Sequence, residues 1–229
     1  MQFTDLYSSL IAQNDVQWSR LTMRETVYIP NPEDISMATT VEQTTQTTQA
    51  TQTGLTTWSI DPTHTNIEFG IRHLMISTVK GRFGGVTGTV AFDKTNPSAL
   101  AVDVLIDVAS IDTRQEQRDG HLRSPDFFDV ERYPSIRFVG KTLHGDVDGE
   151  FTLAGDLTIR DVTRPVTLQV SSEGRVRDPW GNDRAGFSAK GKLDRRAFGL
   201  TWNQALEAGG VVVGDEVKIS IDAELTRTA

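Results

Sequence analysis

Cysteine is absent from this 229-residue chain, which removes disulfides, thiolate nucleophiles and every thiolate-ligated zinc or iron–sulfur site together. A thiol-free chain suits either redox compartment. No apolar run approaches the ~20 residues of a membrane-spanning helix, and the first residues carry no basic segment ahead of an apolar one. The expectation is a cytoplasmic protein without stable membrane insertion. Positive charge is scarce: 23 Lys and Arg face 31 Asp and Glu, a formal net charge of −8. A field of that sign repels phosphate backbones and argues against nucleic acid as a partner.

Several catalytic signatures are missing as well. There is no Gly-x-Ser-x-Gly nucleophile element. Gly81–Gly88 is glycine-rich but lacks Gly-Lys-Ser/Thr and leads into a strand pattern, unlike a phosphate loop. Asp146-Val-Asp148-Gly-Glu150 lacks the remaining ligands of a calcium loop and reads as a hairpin turn. With four His and no Cys, no spacing supplies three firm ligands, so no metal is expected.

What is present divides at residue 57. Residues 1–36 are polar and irregular, with a weakly helical patch near Asp5–Ile11. Residues 38–57 are half threonine with glutamine interspersed, a composition that buries too little to offset its ordering entropy. Residues 1–56 therefore read as a weakly structured extension, with Met37 as an alternative start. Residues 57–229 read as one β domain.

In that domain the hydrophobic period is 2. Ile67, Phe69, Ile71 and His73 share one face; Leu100 through Val108 and Val217 through Leu225 repeat the alternation. Asp148-Gly149, Gly181-Asn182 and Asn96-Pro97 punctuate the runs. Small residues on or beside the apolar faces (Gly88, Ala154-Gly155, Ala189, Gly191) favour a hollow barrel over a filled sandwich. The fold class is all-β: an extended antiparallel barrel of about eight strands. One short helix, Thr113–Leu122, is expected across one end, with Asp112 or Thr113 as N-cap, Glu116 as its capping-box partner and Pro125 as the stop.

The stretch Arg118–Asp129 breaks the repeat, setting two Arg, a His and three Asp beside Phe127-Phe128. Arg118 offers a forked guanidinium to phosphate or carboxylate, or a salt bridge to Asp119 or Asp126. His64 reads as a turn-fixing residue and His144 as a solvated hairpin residue.

Assembled in order, Trp58-Ser-Ile-Asp61-Pro-Thr-His64, Gly81-Arg-Phe83, Arg118-Asp-Gly-His121-Leu, Asp126-Phe-Phe128, Arg195-Arg-Ala-Phe198-Gly199 and Val213-Gly-Asp-Glu resemble the YceI-like family of polyisoprenoid-binding barrels over about residues 57–227. The resemblance implies a lipocalin-type barrel with an elongated hydrophobic pocket for a polyprenyl or other long amphiphilic lipid. It also implies a possible homodimer; many members are periplasmic or secreted. On this reading His73, Arg118, His121 and Asp126 face the lipid head. Phe69, Ile71, Phe92, Val104, Ile106, Phe127, Phe128, Phe138, Phe151, Phe187, Phe198 and Trp202 line the tail channel. No cofactor is expected beyond a bound lipid such as a polyprenyl phosphate or a quinone, and no catalytic residue. Two alternatives stand: an enzyme on an isoprenoid-like substrate with His73 and His121 as acid and base, and a stress protein whose core is packed solid.

Overall fold

Alternating apolar residues commit most of the domain to strands whose inward faces exclude water. The computed structural model describes residues 54–93, 95–96, 99–205 and 210–228. The expectations for residues 1–53, including the start at Met37, fall outside them. The end of the threonine tract does not: Leu55–Ile60 is strand β1, two residues earlier than the domain boundary expected from composition. Trp58 is buried at its centre, and Thr56 and Thr57 pair with Phe92 and Ala91 of a neighbouring strand. β-Branched threonine fits that pleated, half-buried setting.

Ten further strands follow: β2 (Asn66–His73), β3 (Ser77–Phe83), β4 (Val86–Asp93), β5 (Ala101–Asp107), β6 (Ile111–Asp112), β7 (Ser135–Gly145), β8 (Glu150–Ile159), β9 (Val162–Arg177), β10 (Asp183–Asp194) and β11 (Val213–Arg227). All pairings are antiparallel. β1, β4, β5 and β7 to β11 form a closed ring, with β1 joining β11 to β4. β2, β3 and β6 prolong three of these positions past breaks at Asp61–Thr65, Gly84-Gly85 and Val108–Ser110. β11 is long enough to pair with β1 through Leu225 and with β2 through Ile221. The result is an eight-position up-and-down barrel, closed so that no continuous edge is left open.

The helix is shorter than its sequence pattern suggests. Helix α1 is Glu116–Arg123, with Gln115 as N-cap accepting from the Arg118 backbone N–H at 2.5 Å. The caps expected from sequence are otherwise engaged. Asp112 accepts from the Arg114 N–H at 2.7 Å and pairs with Arg82, while the Thr113 hydroxyl donates to Asp119. Arg114 takes a left-handed φ of 61°, which delays the first helical turn. At the C-terminus Ser124 caps and Pro125 follows, as the sequence indicates.

The glycines among the small residues do not make the space expected of them, whereas Ala189 does border the interior. A Cβ on Gly88 would meet the Asp103 carbonyl at 2.6 Å, one on Gly191 the Leu168 side chain at 2.7 Å, and one on Gly155 the Val139 carbonyl and Phe138. Neighbouring strands already fill these positions, so they permit close approach and do not hollow the core.

Candidate functional site

The barrel is hollow nonetheless. A cavity of about 490 Å3 lies inside it, within the range of small-molecule sites. Its wall is overwhelmingly aliphatic and aromatic, reaching from Trp58, Val147 and Ala185 at one end to Ile71, Leu122 and Trp202 at the other. Strand direction places β1, the β7–β8 turn and the β9–β10 turn at the first end. Helix α1, the β2–β3 hairpin and the β10–β11 connection stand at the second, here the helix end.

Eleven of the twelve tail-channel residues read from sequence lie on this wall: Phe69, Ile71, Phe92, Val104, Ile106, Phe127, Phe128, Phe138, Phe151, Phe187 and Trp202. Phe198 does not. It belongs to a short 3-10 turn, Arg195–Phe198, and is buried in the core packing at 2% exposure. The Phe127-Phe128 pair divides its work. Phe128 meets Phe83 edge-on at 6.0 Å, whereas Phe127 packs with Trp202 at 5.3 Å and with the His121 ring at 5.1 Å. His121 also meets Trp202 edge-on at 4.8 Å. Three rings thus close over the helix end, a geometry favoured by their quadrupoles.

Of the four proposed head-group residues, His73, Arg118 and His121 border the cavity, while Asp126 stands outside its wall. Asp126 is exposed and takes the His121 Nε2 at 2.9 Å. Arg118 makes neither of the salt bridges considered from sequence. Its Nε donates to the Thr113 hydroxyl at 2.7 Å and its Nη2 to the Thr113 carbonyl at 2.8 Å. Thr113 in turn donates through its N–H and hydroxyl to buried Asp119. Arg123 donates to the Ala109 and Ile111 carbonyls. Among the described residues, no hydrogen bond engages the His73 ring, Nη1 of Arg118 or Nδ1 of His121. No hydrogen bond joins His73 to His121 either.

Sequence reasoning missed three arginines of the wall, Arg72, Arg175 and Arg195. Arg195 is 2% exposed and donates to the carbonyls of Gly214, Leu200 and Trp202 at 2.8, 2.6 and 2.9 Å. It fastens the β10–β11 connection, and burial pushes its pKa down. Nothing in the sequence sets it apart from Arg196. Arg175 lies over the Trp58 ring at 5.7 Å at the opposite end. There too is the one cluster among the described residues with a metal-like donor set, Asp61, His64 and Glu224. Arg184 occupies its centre: the guanidinium holds Asp61 at 2.6 Å, Glu224 at 2.5 Å and Asp178 at 2.8 Å. His64 hydrogen-bonds Asp61 at 3.0 Å, the turn-fixing role read for it, and His144 is exposed.

A closed antiparallel barrel of eight strands around an apolar cavity defines a lipocalin-like barrel as the class of protein. The model of the YceI-like domain matches residues 58–225, and the chain belongs to that family. It is 42% identical over 137 residues to the protein YceI of Escherichia coli O157:H7, covering 60% of this chain and 71% of that one. The Campylobacter jejuni YceI protein superposes with a TM-score of 0.59 at 29% identity, covering 69% of this chain and 91% of that one. A polyisoprenoid binding domain from Saccharophagus degradans shares the fold, with a TM-score of 0.57 at 14% identity over 75% of this chain and 98% of that domain.

Proposed function

We propose that the barrel binds and sequesters one long lipid, without catalysis, with its tail in the cavity and its polar head at His73, Arg118 and His121. The observation that carries this reading is the cavity wall, which is almost wholly hydrocarbon along the barrel's length. Each buried CH2 contributes about 0.8 kcal/mol, whereas association costs on the order of 4–15 kcal/mol. A short acyl group would barely break even. A chain of roughly twenty carbons clears that cost on tail burial alone, which favours polyprenyl and quinone-like lipids over small amphiphiles. The S. degradans neighbour, described as polyisoprenoid-binding, has a barrel of the same kind, which makes that lipid class a natural first candidate.

The head-group residues fit an anion better than a catalytic role. Arg118 is anchored by two of its nitrogens and leaves Nη1 to donate. His121 has a carboxylate partner in Asp126, but among the described residues no hydroxyl hydrogen-bonds its ring to act as a nucleophile.

The test is solvent extraction and native mass spectrometry of protein purified from a host rich in polyprenols and quinones. Wild-type protein is expected to return a long lipid at near-stoichiometric yield. Ala189→Phe, which puts a ring into the cavity from β10, is expected to return several-fold less while the melting temperature holds. Wild-type protein recovered empty would overturn the reading.

A further inference from the structure

The β2–β3 hairpin ends in three apolar residues, Leu74-Met75-Ile76, and does not hide them. Met75 is 52% and Ile76 80% exposed, and Val211 across the β10–β11 connection is 37% exposed. Leu74 and Met75 both sit at left-handed φ, 50° and 59°, an arrangement that costs apolar L-residues roughly 1–2 kcal/mol each. Arg72 braces the tip by donating to the Met75 carbonyl at 2.5 Å, and the Leu74 N–H donates to the Val212 carbonyl at 2.9 Å. The tip is thus a braced apolar knuckle.

Its position and charge indicate what it meets. His73, Val212 and Val213, immediately behind the tip, line the cavity. From Phe69 to Phe92 the sequence has no Asp or Glu but contains Arg72 and Lys80, neither in an ion pair among the described residues, and Arg82, which pairs with Asp112, in a chain whose net charge is −8. A cationic apron around an exposed apolar knuckle matches an anionic lipid surface: the side chains enter the headgroup boundary while the cations stay with the phosphates. We propose that the Leu74–Ile76 tip docks the helix end of the barrel onto an anionic phospholipid bilayer. Docking there would set the cavity against the phase from which an insoluble cargo leaves or to which it returns. The purpose rests on the lipid-binding reading above; the docking does not.

Vesicle flotation with the full chain tests it, using phosphatidylcholine alone and phosphatidylcholine mixed with phosphatidylglycerol in equal parts. Wild-type protein is expected to float with the mixed vesicles and to release in high salt. Ile76→Asp and Met75→Asp are each expected to weaken binding about tenfold, and Lys80→Gln about fivefold, with unchanged melting temperature because all three side chains are exposed. Trp180→Ser, at a site 82% exposed on the β9–β10 turn of the other end, is expected to change nothing. Wild-type protein that ignores the mixed vesicles overturns the proposal, as does Ile76→Asp floating like wild type or loss confined to Trp180→Ser. If wild type ignores vesicles and Ile76→Asp splits a dimer in sedimentation equilibrium, the knuckle is a self-association face and the proposal falls. Extraction of lipid from the same preparations separates the two readings: empty protein that still floats removes the cargo and leaves the docking.

Discussion

Two sets of arginines, one at each end of the barrel, are held in opposite ways. At the β9–β10 turn, Arg184 meets three carboxylates, Asp61, Asp178 and Glu224, and its charge is spent on closing a seam. At the helix end Arg72, Arg118 and Arg123 donate to carbonyls and a hydroxyl, and among the described residues none of the three has a carboxylate in ion-pair range. Backbone oxygens satisfy hydrogen-bond geometry without cancelling charge. The Arg184 seam is therefore neutralised, whereas Arg72, Arg118 and Arg123 are held firmly with their charge left over, beside the ion pairs that Arg82, Arg195 and Arg196 make with Asp112 and Asp215 at the same end. Rigid placement with charge left over is what recognition of an anionic head requires.

The sharpest way to break this contrast is Arg195→Met. Removing the guanidinium leaves the buried carbonyls of Gly214, Leu200 and Trp202 without donors, at about 1–3 kcal/mol for each group that water cannot reach. A loss of about 3–5 kcal/mol is expected in urea unfolding, with Trp202 fluorescence changing in the native baseline as the connection loosens. A loss under about 1 kcal/mol would show that the backbone here is already solvated.

The Arg184 seam comes next, and its signature is pH. The Thr63 hydroxyl, the His64 ring and Arg184 hold the Asp61 carboxyl well below the usual carboxylate range, and Arg184 with Asn182 does the same for Asp178. A depressed folded pKa means stability that is complete above the unfolded value of about 4 and lost as pH falls through the folded one. Asp61 pushes the His64 pKa up, so that contribution is complete below about 6.5 and lost as pH rises past the raised value. The seam is strongest between those limits. Arg184→Met is expected to flatten the acid side of a melting-temperature profile, and His64→Gln the alkaline side. An unchanged profile in both would remove the seam from the account.

The sequence reveals the barrel better than the reason it is hollow. Strict alternation in Ile67–His73 and Val217–Leu225 sets the inward faces, and eight of the eleven expected residues found on the cavity wall lie on strands and follow from such alternation; Phe127, Phe128 and Trp202 lie where strands give way to loops. Phe198 fails because its 3-10 turn directs the ring into the core packing. The glycines mislead for a related reason: Gly88, Gly155 and Gly191 sit where neighbouring backbone or side chains come within contact distance of a Cβ, and alternation along one strand carries no information about the strand opposite. Arg118 was legible as a residue of consequence but not as a partner of Thr113, because that contact depends on the left-handed turn at Arg114. Arg195 was invisible, since its partners are carbonyls and carbonyls have no residue-type signature.

The smallest expected effects separate the two charged residues beside the helix-end rings. Asp126 and His121 form an exposed pair, with 55% and 39% of their side chains accessible, and such pairs contribute at most about 1 kcal/mol. Asp126→Asn retains an oxygen to accept from Nε2 and removes only charge, so a melting-temperature shift below about 3 °C is expected. Arg118→Met removes the free Nη1 donor together with the Thr113 anchor. If Arg118 receives an anionic head and Asp126 only orients His121, lipid extracted from Arg118→Met should shift from anionic toward neutral species, whereas Asp126→Asn should return the wild-type mixture. The opposite pattern would move the head-group site outside the cavity wall, onto the face that carries Asp126.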